Sequence, residues 1–150
     1  MKKTLIALML CFVSIMGFCQ VTIQKTQKTD EIVLSSGNGY IYHDKITDEY
    51  YLGIASDNHF EDKLVIVKLG TGKEETIKSI QAIESTWESS KDGDTFEVNG
   101  INCTVNKSMV YYLRFESPKY SAGTYYIACE FSSKLGLFDR ALKKYKKGKF

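Results

Sequence analysis

Proline occurs once in 150 residues, at Pro118, and no stretch is rich enough in serine and glycine to act as a linker. A single domain is therefore expected. Histidine occurs only at His43 and His59, a separation that matches no recognised zinc-ligand spacing. No G-x-S-x-G elbow is present, so that serine-hydrolase signature is missing. After residue 20 no apolar run approaches the roughly 20 residues of a membrane-spanning helix. A large charge excess is missing too, with 20 basic against 18 acidic side chains. A nucleic-acid partner is not expected, because a binding groove needs a basic body.

What is present begins with an export signal. Lys2 and Lys3 precede an uncharged run from Leu5 to Phe18, which ends in "SIMGFCQ". A charged start, a short apolar run and a small-residue exit form a secretory signal layout. It resembles the signals of many secreted Gram-negative bacterial proteins. Gly17 and Cys19 supply the small residues at −3 and −1 of the cut, making residues 1–19 the signal and Gln20 the first mature residue. Phe18 stands where a lipoprotein signal wants a small residue, so a lipid anchor on Cys19 is the alternative rather than the expectation. The exported chain, 20–150, is then periplasmic or extracellular. Its charge is unevenly placed. Residues 134–150 hold seven basic side chains and one acid, whereas 20–133 hold 11 basic and 17 acidic ones.

Alternating patterns dominate the mature chain. "GYIYH" at 39–43 and "EYYLGIA" at 49–55 flank a polar turn and predict a hairpin, and "KLVIVKL" at 63–69 predicts a strand apolar on both faces. Further strands are predicted at 94–98, 101–106, 109–116 and 123–131, with turns at the dipeptides Asp92-Gly93 and Asn99-Gly100. Two segments switch to helical spacing. Ile77, Ile80, Ile83 and Trp87 share one stripe of a helix over about 73–89, started by Thr71 or Thr76. Leu135, Phe138, Leu142 and Tyr145 do the same over about 133–147, with Ser132 or Ser133 at the start and lysines gathered where the helix dipole favours them. The class is α+β: a curved antiparallel sheet of roughly seven or eight strands packed by two amphipathic helices, in β-α-β4-α order after an N-terminal hairpin. That order resembles the TATA-binding-protein-like and helix-grip groups, in which a curved sheet cradles a long helix; no motif accompanies the likeness. "YYLGIAS" at 50–56 and "YYLRFES" at 111–117 repeat at 61 residues. Either a strand–strand–helix unit occurs twice, or tyrosine-rich strands recur by composition.

Chemistry is sparse. "VKLGTGKEET" at 67–76 runs a strand through Gly-Thr-Gly-Lys into a helix, but Val67 stands where a phosphate loop needs glycine and Glu74 where it needs Ser or Thr. It predicts a strand-to-helix turn. Met109, Tyr111, Leu113 and Phe115 face inward on the strand at 109–116, and Cys103 and Cys129 fall on the matching inward faces of the strands beside it, a parity that favours a disulfide. In a simple meander the 109–116 strand separates them by about two strand spacings, ~9.5 Å, beyond the roughly 7 Å a disulfide spans. Buried free thiols are expected, without a neighbouring His or Lys to activate either. His43 and His59, with Asp44, Asp57 and Glu61, are the weak candidates for a metal, and neither a metal nor a cofactor is expected. Tyr40, Tyr42, Tyr51, Tyr112 and Tyr126 are the binding candidates, because exposed rings on a sheet stack on peptides, sugars or proteins. The lysines of 143–149 (Lys143, Lys144, Lys146, Lys147 and Lys149) form a frayed basic tail suited to weak contact with an anionic surface. The expected function is a non-catalytic binding module for an envelope protein, peptide or small ligand. The alternatives are a small envelope enzyme or metal-dependent hydrolase using loop acids and histidines, and an inhibitor or immunity-type protein.

Overall fold

In the computed structural model the described residues are 30–56, 64–116, 125–130 and 134–150. Residues outside those ranges include Cys19, Gln20, Asp57, His59, Glu61, Ser132 and Ser133, so the signal, the second histidine and the serine caps lie outside the described residues. Among the described residues, nine strands form two antiparallel sheets. Strands β1 (Asp30–Ser36), β2 (Gly39–Asp44), β3 (Glu49–Ala55) and β4 (Leu64–Thr71) form the first, in sequence order. Helix α1 (Gly72–Ser89) follows. The second sheet runs β5 (Thr95–Val98), β6 (Ile101–Asn106), β7 (Tyr112–Glu116), β8 (Tyr125–Glu130) and the two-residue β9 (Lys134–Leu135), and leads into α2 (Gly136–Lys146).

The α+β class, the antiparallel pairing and the two helices stand as read from the pattern, but the single curved sheet does not. β5 pairs with β6 and not with β4, and the Lys68 carbonyl of β4 is met by a turn side chain, the amide of Asn99 at 2.5 Å, in place of a further strand. The likeness to one sheet around one helix goes with it. β1 carries no clean alternation in "DEIVLSS" and was not predicted; a bulge between Ile32 and Leu34 breaks its register on β2. The predicted strand at 109–116 begins at Tyr112, leaving Met109 95 % exposed rather than facing the core. The predicted second helix starts later, because Lys134 and Leu135 pair with β8 as β9 before α2 begins.

Local chemistry explains the turns. Asn99 and Gly100 both have positive φ, 46° and 83°, which the two-residue reversal between β5 and β6 requires. At the entry to α1, Gly70 has no room for a side chain, since a Cβ would stand 2.8 Å from the Thr76 nitrogen. Thr71 occupies the N-cap without a side-chain cap bond, and Glu75 instead accepts its backbone N–H at 2.8 Å. The Gly-Thr-Gly-Lys stretch is thus a tight strand-to-helix turn.

One core lies between the layers. α1 packs on β3 and β4 and against α2, while α2 packs on β1, β8 and β9. Ile77, Ile80, Ile83 and Trp87 of α1 meet Leu52, Ile54, Val65, Val67 and Leu69 of the first sheet in the same cluster as Val105, Leu113, Phe115 and Ile127 of the second. The repeated "YYL" falls at the third strand of each sheet, wholly within β3 and across the start of β7: Leu52 and Leu113 are fully buried, and Tyr51 and Tyr112 are half-buried on the outer faces.

Candidate functional site

Alternation along β2, β3 and β4 turns one set of side chains out of the first sheet. Tyr42 stands opposite Tyr51 across β2 and β3, and Tyr40 stands opposite Gly53. The Tyr40 and Tyr42 rings lie 6.0 Å apart at 32°. Gly53 makes room for Tyr42, whose Cε2 would be 2.5 Å from a Cβ at that position. Ile66, opposite Gly53 on β4, is 57 % exposed. With Leu64, Asp30 and Asp44, the rings of Tyr42 and Tyr51 and the side chain of Ile66 line an open depression of ≈ 430 Å³.

The rim of this depression is acidic. Asp30 and Asp44 are direct cross-strand partners on β1 and β2, so two acidic residues stand at one end of that ladder. Asp44 is lowered by the backbone N–H of Ile46, then by the hydroxyl of Thr47, and remains ionised. Glu49 is lowered by Lys68 and by the Tyr51 hydroxyl, which donates to it. The Tyr51 hydroxyl is correspondingly raised, first by that bond to Glu49. Burial, followed by the neighbouring Tyr40 and Asp30, raises Tyr42. Both phenols therefore stay neutral at physiological pH, as donors and as ring surfaces.

Tyr112 and Tyr126 are elsewhere. They lie on the outer face of the second sheet, with rings 5.2 Å apart at 46°, and the Tyr112 hydroxyl accepts from Asn106 at 3.2 Å. Around them stand Arg114, Asn102 and Glu116, all exposed, so that face is polar. The five tyrosines thus make two surfaces on two sheets, one apolar with an acidic rim and one polar.

The histidine reading divides in a similar way. His43 and Asp44 are neighbours on a strand and point to opposite faces. His43 stacks on buried Tyr50, 4.3 Å between centroids, and its Nε2 pairs with Asp48 at 2.8 Å. Asp44 is committed to the turn at Ile46 and Thr47. The two therefore cannot share a metal, and among the described residues no three His, Cys, Asp or Glu side chains converge on one. Cys103 and Cys129 are free thiols on β6 and β8 with β7 between them. Burial pushes each up to about 12, so neither is a thiolate at neutral pH.

The C-terminal lysines do not belong to a frayed tail. After α2 the chain closes a Schellman stop: Gly148, at φ +65°, donates to the Tyr145 carbonyl at 2.9 Å, and Lys149 donates to that of Lys144 at 2.9 Å. The reversal sends Phe150 back into the core, 8 % exposed, where its ring stacks on Tyr50 at 5.5 Å. "YKKGKF" carries this signal openly: a glycine just past a helix, followed by a hydrophobic residue.

No family model, curated protein or solved structure matches the chain. No helix among the described residues is long and apolar enough to cross a membrane.

Proposed function

We propose that the protein is a non-catalytic binding module, exported from its cell, whose outer first-sheet face docks a protein or peptide segment bearing lysine or arginine. The carrying observation is the pair Asp30 and Asp44, opposed across β1 and β2 at the border of the aromatic depression. Like charges placed directly opposite destabilise a ladder, and a cation set between them removes the penalty. The same cation lies over Tyr42 and Tyr51, whose ring faces attract it. Leu64 and Ile66 supply apolar contact beside it. A carboxylate-rimmed aromatic surface of this kind discriminates against acidic partners by repulsion as much as it favours basic ones.

The test places a photo-reactive side chain at position 66 in the protein made in its own cell. The reading expects one captured partner, cross-linked through a stretch containing lysine or arginine, with capture lost in Asp30→Lys and in Tyr51→Ser. Equal capture from position 114 on the second sheet, or a partner that joins through an acidic stretch, would overturn it. A captured secreted enzyme that loses activity when bound would make the module an inhibitor. The mass of the mature chain tests export directly. A product starting at Gln20 supports a cleaved signal, whereas one carrying acyl chains on Cys19 makes the protein a lipoprotein.

A further inference from the structure

On the opposite side of β2 lies a cavity of ≈ 420 Å³ with different chemistry. Four lysines reach it from four places: Lys45 from the turn after β2, Lys73 from the first turn of α1, Lys144 from α2 and Lys149 from the Schellman stop. Among the described residues, Glu31 is the one acidic side chain lining it, and Glu31 is bound to Lys45 at 2.5 Å, which keeps it ionised. Among the described residues, Lys73, Lys144 and Lys149 pair with no Asp or Glu side chain. Lys144 donates to the Val33 carbonyl at 2.9 Å, and Lys73 donates to the main-chain oxygen of Phe150. An ammonium has three donors, so both have donors left for a ligand. The wall is apolar and fixed: Tyr50 is 1 % exposed and stacks between His43 and Phe150.

We infer that this cavity binds a small multivalent oxyanion, a phosphomonoester or diphosphate group, through Lys73, Lys144 and Lys149. Two helices and a helix stop bring three cations to one cavity, so an anion that enters it can be met from three sides. Lys73 and Lys149 are exposed and Lys144 is half-buried, so the attraction weakens as salt is added. Glu74 and Glu75, the acids of the first turn of α1, do not line the cavity. The volume exceeds a bare phosphate and suits an anionic group carried on an organic body. Such a group comes either from a free metabolite or from a lipid headgroup. The site is independent of the tyrosine face, since His43 and Tyr42 point to opposite sides of β2.

The experiment is an amide NMR titration of the full mature chain with pyrophosphate, alongside sedimentation with vesicles of phosphatidylcholine containing phosphatidic acid, whose headgroup is a phosphomonoester. A free anion as the natural ligand predicts saturable shifts at Lys73, Lys144, Lys149 and Phe150. Each of Lys73→Gln and Lys149→Gln, both at exposed positions, weakens pyrophosphate about tenfold, the scale of one charge-assisted hydrogen bond. Lys146→Gln, which does not line the cavity, changes affinity less than about twofold. Vesicle binding that is lost in the same two variants but kept in Lys146→Gln assigns the site to a headgroup. Shifts spread evenly over all the lysines, or affinity equal in all three variants, would overturn the proposal. Tyr51→Ser leaves pyrophosphate binding intact, so failure of the tyrosine-face reading leaves a distinct signature.

Discussion

The two halves of the molecule solve one problem twice. Each runs an antiparallel meander, of four strands in the first and five in the second, and then a helix, and each buries a leucine in its third strand, Leu52 in one and Leu113 in the other. They differ in how the helix ends. α1 has 18 residues and no basic residue in its last turn. Its terminal carbonyls are taken by Lys107 of the other half, which donates to Trp87, Glu88 and Ser90 and sits 4.8 Å from the centre of the Trp87 ring. α2 has 11 residues, three lysines in its last turn and its own stop at Gly148. It packs on β1 and α1 of the first half, Lys144 donates to Val33 of β1, and the stop returns Phe150 onto Tyr50. One helix end is held by a lysine from the other half; the other end closes on itself and carries its own terminal residues across.

That contrast can be broken from the core outward. Trp87 and Phe138 are the largest buried side chains of the two helices, at 1 % and 0 % exposure. Replacing either with alanine is expected to cost about 3–5 kcal/mol. Because both belong to one cluster, each variant should lower a single denaturation midpoint seen alike by fluorescence and circular dichroism. Two separate transitions would show that the halves fold independently.

Lys107→Met keeps the aliphatic stem and removes the donor from three carbonyls, so about 2 kcal/mol is expected to be lost, as for a charged hydrogen-bonding group. Hydrogen exchange should quicken in the last turn of α1 and not in α2. Gly148→Ala should do the reverse. It forces a Cβ into the left-handed region at φ +65° and is expected to cost about 1 kcal/mol, with faster exchange confined to residues 144–150. If either variant loosened both helices equally, the distinction between an external and an internal stop would fail.

The smallest effect lies on α1 where it approaches α2. The Glu84 carboxyl is raised above its ordinary 4.5, chiefly by burial and then by the charges of Asp139 and Glu88. Its Oε1 is buried without a hydrogen-bond partner among the described residues. A carboxyl raised in the folded state binds more protons there than in the unfolded chain. Its contribution is therefore full below its ordinary value and declines as pH climbs through the raised one. Glu84→Gln should be more stable than the parent at pH 7, with the advantage vanishing below about pH 4.5, the ordinary value. A pH-independent difference would mean that packing, not ionisation, governs this position.

Much of the fold is legible in the pattern, for physical reasons that can be assigned residue by residue. The stripe Ile77, Ile80, Ile83 and Trp87 repeats at helical period, so it marked both α1 and its buried face. Asn99-Gly100 names its own turn, and the parity of Leu113 and Phe115 names the inner face of β7. β1 was missed because an edge strand with a bulge keeps no regular alternation. Met109 was misplaced because an apolar residue at a loop tip satisfies the same alternation as one in a strand.

The candidate sites divide along the same line. Composition and period, which depend only on neighbours in the chain, determined the class, the helices and the separation of Tyr42, Tyr51 and Tyr112 from the buried residues that alternate with them. Whether sheets join or part depends on what meets the edge of β4, and there Asn99, 31 positions away, takes the Lys68 carbonyl. The pairing of Asp30 and Asp44 depends on cross-strand register, and the lysine cavity on a helix start and a helix end brought together over Tyr50. Such pairings are set by packing among segments distant in sequence, and only the tertiary structure decided them.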